Sequence, residues 1–116
     1  MSRAYPDIAE HLPVEITGFD VEGTVLTIWG LDWTLAILAP WEGTLDGRAI
    51  YSDDDDLADQ FRSLVGEALL GVGPVDLDDT GFQFSNGVLF VPPHPTESAW
   101  RLRLPHDEFY GRPEAS

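Results

Sequence analysis

The run Phe82-Gln83-Phe84-Ser85-Asn86-Gly87-Val88-Leu89-Phe90-Val91 constrains the fold more than any other part of this 116-residue chain. Apolar and polar side chains alternate on both sides of Asn86-Gly87, a dipeptide that readily supplies the two positive-φ positions of a tight two-residue turn. The segment therefore predicts a hairpin with Phe84 opposite Leu89 and Phe82 opposite Val91. One face is then wholly apolar and should pack beneath a helix, while Gln83, Ser85, Val88 and Phe90 occupy the other.

The remaining pattern is also mostly extended. Residues 14–21 read as a strand interrupted at Gly18 by a bulge. Residues 24–29 and 33–39 form a hairpin around Gly30, Leu31 and Asp32, with a second arm apolar enough on both faces to be central. Pro40 ends that arm, and residues 41–47 read as a loop that leaves Trp41 open to solvent before a short strand at 48–52. Leu57, Phe61, Leu64, Val65 and Ala68 recur at helical spacing, and the aspartates 53–56 suit the positive, uncapped start of such a helix. Gly66 or Gly71 ends it, and a strand at 68–72 follows if Gly66 does. Gly73-Pro74 then turns into an acidic segment at 75–79, and Pro92, Pro93 and Pro95 stiffen the approach to a half-buried strand in which Trp100, Leu102 and Leu104 alternate with Arg101 and Arg103. The sum is an α+β fold: a mostly antiparallel twisted sheet of about six to seven strands with one main helix packed on it. An N-terminal arm (1–13, with a single helical turn near 7–11), one domain (14–105) and a polar tail (106–116) complete the expected organisation.

Composition narrows the function classes. Hydrophobic residues make up 43% of the chain and include 4 Trp, 6 Phe and 3 Tyr, enough for one core, and there is no cysteine to staple it. The formal charge is −15, with 17 Asp/Glu against 3 Arg in residues 1–79 but only 4 against 3 in residues 80–116. Such a field repels phosphate backbones and anionic membranes, so direct nucleic-acid or membrane binding is not expected. No apolar run is long enough to span a bilayer, which leads to the expectation of a cytoplasmic protein. The aspartates 53–56 lack the spaced ligands and central glycine of a calcium loop, and His11, His94 and His106 lack pairing on one element. No phosphate loop or nucleophile elbow is present, so neither a metal, a cofactor nor an enzymatic activity is expected.

The second half, from Leu64-Val65-Gly66 through residues 82–93 to Glu97 and Trp100-Arg101-Leu102, resembles an uncharacterised family of small actinobacterial domains. The first half adds Asp32 ahead of Leu35 and Ile37. The absence of lysine among the six basic residues fits the same high-GC background. The resemblance implies a mostly antiparallel α+β fold and transfers no ligand or catalytic residue. In size and charge the chain is also similar to small acidic immunity proteins, an analogy of class alone.

A strongly acidic domain without reactive groups points to capture of a basic protein, where electrostatic steering speeds encounter. The candidate partner-binding residues are the carboxylates Asp53, Asp54, Asp55, Asp56 and Asp59, with Trp41, Glu42 and Tyr51 beside them. The expected function is that of a stoichiometric inhibitor, an immunity protein or antitoxin against a basic toxin or nucleic-acid-acting protein. The alternative is a structural or assembly subunit of phage or secretion-system type that self-associates through a sheet edge or the Val88 and Phe90 face.

Overall fold

A computed structural model describes residues 8, 10–23, 25–74, 79–93, 97–105 and 107–111. The arm before Ile8, residues 75–78 of the acidic segment, Pro95, His94, His106 and residues 112–116 of the tail lie outside them. In chain order the elements are β1 (Val14–Glu15), β2 (Gly18–Glu22), β3 (Val25–Trp29), β4 (Thr34–Ile37), β5 (Glu42–Leu45), β6 (Arg48–Tyr51), α1 (Leu57–Gln60) with a 3-10 turn (Phe61–Leu64), β7 (Ala68–Pro74), β8 (Thr80–Phe84), β9 (Gly87–Val91), β10 (Trp100–Leu104) and β11 (Asp107–Tyr110). They build a six-stranded sheet, β1-β7-β8-β9-β5-β6, and a five-stranded sheet, β11-β10-β4-β3-β2, in which every pairing is antiparallel.

The expected α+β architecture is thereby corrected: the protein is mostly β, with a helical segment of eight residues in place of a main helix. Leu57, Phe61 and Leu64 are buried at the expected spacing, but Gly66 takes φ +92 and ends the helical path. Val65 is left 46% exposed, and Ala68 already belongs to β7. What covers the apolar face of the six-stranded sheet is the second sheet. Period-two alternation turns Leu26, Ile28, Leu35, Ile37, Trp100, Leu102 and Leu104 inward from one sheet and Leu45, Ile50, Leu69, Phe82, Phe84, Leu89 and Val91 inward from the other, all buried in one core. Phe82 meets Trp100 edge-on at 5.2 Å, and the Trp100 indole N–H donates to buried Thr80 Oγ1 at 3.1 Å. Phe61 is wedged between Phe19 of β2 and Trp41 ahead of β5, with ring centroids 5.7 and 5.5 Å away, so the helical turn joins one sheet to the other.

Three local readings change for physical reasons. The extended run at 14–21 serves both sheets: Val14 pairs with Leu69, Gly18 with Trp29, and the chain crosses at Ile16-Thr17, whose N–H groups donate to Glu67 O and Trp29 O. Gly18 is not a bulge; a Cβ there would stand 2.7 Å from the Trp29 ring lying across it. The loop expected at 41–47 is instead β5 and the turn of a second hairpin, since Asp46 (φ 52) and Gly47 (φ 79) supply the paired positive φ angles. In the 82–91 hairpin Phe82 faces Leu89 and Thr80 faces Val91, because Ser85-Asn86 forms the turn and Gly87 already pairs with Phe84 and Leu45. Gly87 is required by the close approach of β5, as a Cβ would fall 2.0 Å from Thr44 O. A two-residue shift preserves parity, so Phe82, Phe84, Leu89 and Val91 still share the buried face. The tail expected to be loose also contributes β11, paired along β10.

The hairpin at 25–37 forms with Ile28 opposite Leu35 and β4 central in its sheet, but its loop is Gly30–Trp33 and the second arm is buried on one face only, with Leu38 36% exposed on the other. Because Phe61 links the two sheets through aromatic contacts, Phe61→Ala should cost about 3–5 kcal/mol in a urea unfolding curve, whereas Val65→Ala, at an exposed site, should stay within about 0.5 kcal/mol.

Candidate functional site

β6 is the edge of the six-stranded sheet, and its last residue sets up the acidic turn. Tyr51 N–H donates to Asp54 Oδ2 at 2.9 Å, and Asp54 N–H donates back to Tyr51 O at 3.1 Å. Asp54 thus occupies the backbone groups with which an added strand would pair at that end of the edge. Gln60 Nε2 reaches back to Asp56 Oδ1 at 2.7 Å and Asp54 Oδ2 at 3.4 Å, tying the turn to α1. No aspartate side chain caps α1: the Asp56 carboxylate at the N-cap makes no bond to a backbone N–H, and it is the Asp56 carbonyl that accepts from Asp59 and Gln60 N–H. The expected capping role is corrected accordingly, since the carboxylates of Asp54 and Asp56 are committed to the turn and to Gln60.

Beside this turn lies an open depression of about 720 Å³ lined by Trp41, Glu42, Tyr51, Ser52, Asp53, Asp54 and Asp55, with Val21, Gly23, Pro40, Leu57 and Ala58 completing its wall. Six of the candidate residues therefore converge there. Asp56 and Asp59 do not line it, and Asp59 instead pairs with Arg62 at 3.3 Å in a largely exposed contact of little energetic weight. Trp41 is corrected from an exposed anchor to a core side chain, 5% exposed and packed edge-on against Phe61. Tyr51, 48% exposed, is the aromatic surface the depression offers to solvent. Val21, Gly23 and Pro40 were not legible as rim residues, because only the meeting of the β2–β3 turn with the chain leaving β4 brings them near Tyr51.

Among the described residues, the ion pairs are His11–Asp107 at 3.1 Å, Arg62–Asp59 and Arg103–Glu108 at 3.7 Å. Glu42, Asp53, Asp54 and Asp55 thus line the depression without forming an ion pair among the described residues. Their oxygens with the Tyr51 ring suit a guanidinium or ammonium group, which takes charge-assisted hydrogen bonds and a cation–π contact together. The described residues hold no cluster of three or more His, Asp or Glu side chains arranged for a metal ion. In β11, Phe109 is partly buried against the core and Tyr110 is 50% exposed. The Tyr110 hydroxyl donates to the Glu108 carboxylate, a bond that raises its pKa above the usual phenol value.

The chain matches no family model, and no curated protein or solved structure matches it significantly. The resemblance of its second half to small actinobacterial domains accordingly carries no argument about function. No helix among the described residues is long and apolar enough to cross a membrane.

The turn bonds separate two classes of carboxylate. Asp54→Ala removes the acceptor for Tyr51 N–H and should lower unfolding free energy by about 1–2 kcal/mol, while Asp53→Asn and Asp55→Asn should change it by less than about 0.5 kcal/mol. Chemical denaturation of the three variants checks the ordering.

Proposed function

We propose that the protein is an acidic protein-binding module, a stoichiometric inhibitor of immunity-protein or antitoxin type that covers a basic surface of a toxin or nucleic-acid-acting protein. The observation that carries this reading is the convergence of Glu42, Asp53, Asp54, Asp55 and exposed Tyr51 on one open depression, where none of these carboxylates forms an ion pair among the described residues. Asp54 sets the shape of the turn, and Asp53 and Asp55 extend from it into solvent. Lysine or arginine side chains of the partner fill the depression, with Tyr51 stacking on one of them.

Such a surface gains rate and selectivity from charge more than it gains affinity from buried area. On a partner that ordinarily holds DNA or RNA, the carboxylates stand where phosphates would. The proposal places the protein with its partner, in the cytoplasm, and assigns it no catalytic step and no cofactor.

A fluorescein-labelled oligoarginine peptide serves as the probe for binding measurements. Its Kd should rise at least about 100-fold between roughly 50 and 500 mM salt. The combined variant Glu42→Gln, Asp53→Asn, Asp55→Asn, which leaves the Asp54 turn intact, should weaken binding by about tenfold or more at low salt. A Kd indifferent to salt, or to the three neutralisations, would overturn the assignment of this depression.

A further inference from the structure

The outer face of the five-stranded sheet carries a charge pattern unlike the rest of the molecule. Its registers place Asp20, Thr27, Ala36, Arg101 and Tyr110 in one row across the strands, and Gly18, Trp29, Thr34, Arg103 and Glu108 in the next. These alternate with the buried residues Leu26, Ile28, Leu35, Ile37 and Leu102, so all of them face outward. The face is therefore acidic along β2, uncharged along β3 and β4, and carries two of the six arginines of the chain on β10. Of these, Arg103 pairs with Glu108 of β11 at 3.7 Å, and Arg101 lies over the Tyr110 ring at 5.8 Å with its charge open to a partner.

The uncharged strip is also where apolar surface is exposed. Trp29 and Leu38 are each 36% exposed on this face, Tyr110 is 50% exposed at its far side, and Leu31 in the β3–β4 turn is 95% exposed. The Trp29 ring lies across Gly18. Thr27, Thr34 and Ala36 are small, so a second flat surface can approach closely. Trp29 and Leu31 lie two residues apart at the β3–β4 turn, and apolar exposure gathered at one place marks an interaction surface.

We infer that this face binds a second copy of the chain in a closed, two-fold homodimer. A two-fold axis parallel to the strands and passing between β3 and β4 lays β2 of one copy over β10 of the other, twice, because β2 and β10 are the strands flanking that pair. Asp20 then meets Arg101 of the partner subunit in the same row, with the β3 and β4 strips packed between the two pairs. Sheets packed face to face stand about 10 Å apart, a gap that aspartate and arginine side chains span together. Self-complementarity about a two-fold axis is the condition for an interface that closes on itself. Neither Asp20 nor Arg101 lines the acid-lined depression, so the paired contacts of the dimer can be altered without touching it.

The test is sedimentation velocity across a concentration series, with circular dichroism confirming the fold of each variant. The wild-type protein should sediment at twice the 12.8 kDa chain mass. D20R and R101E each place like charges together at both symmetry-related contacts, and each alone should weaken dimerisation by roughly a hundredfold. An equimolar mixture of D20R and R101E should recover the dimer, because the mixed pair restores opposite charges at both contacts. A wild-type monomer at all concentrations, a dimer unaffected by either variant, or a mixture that stays monomeric would each overturn the proposal. Binding of oligoarginine at the depression does not depend on any of these outcomes, so failure here leaves that reading to its own test.

Discussion

The burial of two inward sheet faces against one another is the constraint on which the structure depends. Neither sheet holds its apolar side chains out of water alone, and with no cysteine the chain has no covalent substitute. The contact is anchored where Phe82 meets Trp100 and where the indole N–H finds Thr80 inside the core. Two devices keep the layers in register: the strand crossing from one sheet to the other at Ile16-Thr17, and the aromatic chain Phe19–Phe61–Trp41. The acidic turn is held in place by the second, since Trp41 O accepts from Ser52 N–H and α1 starts directly after the aspartates.

Strand content was legible in the sequence, and the layer arrangement was not. Alternation at 25–37, 82–91 and 100–104 fixed which side chains point inward, and that parity survived even where the pairing register shifted by two residues. Helical spacing at Leu57, Phe61 and Leu64 invited a helix long enough to cover a sheet, but three matching positions amount to two turns. The sequence carried no local sign that the missing cover was another sheet, because a core shared by two sheets and a core shared by a sheet and a helix draw on the same inward residues. The second hairpin is hidden by Glu42-Gly43, a weak strand start by composition, although Asp46-Gly47 is a turn signal as strong as Asn86-Gly87. Asn86-Gly87 itself was misleading: its glycine answers to close packing against β5, not to backbone handedness.

Of the candidate site, the cluster of aspartates was legible and their division of labour was not. Asp54 and Asp56 spend their carboxylates on Tyr51 and Gln60, whereas Asp53 and Asp55 remain turned to solvent, a distinction that depends on hydrogen bonds across three to six residues. Trp41 looked like an exposed anchor only because the loop around it was taken for surface. The same turn that gathers negative charge also blunts the edge of β6, so the open edge of the sheet and the acidic surface are parts of one feature.

Capture of a basic partner requires negative charge focused at this turn instead of spread over the molecule. Titrating isotopically labelled protein with unlabelled oligoarginine and following backbone amide shifts by NMR tests that point most directly. The account predicts that the largest perturbations fall on Glu42 and on residues 51–55. Perturbations of equal size at Asp32, Glu67 and Glu108, carboxylates that neither line the depression nor adjoin a residue that does, would contradict it.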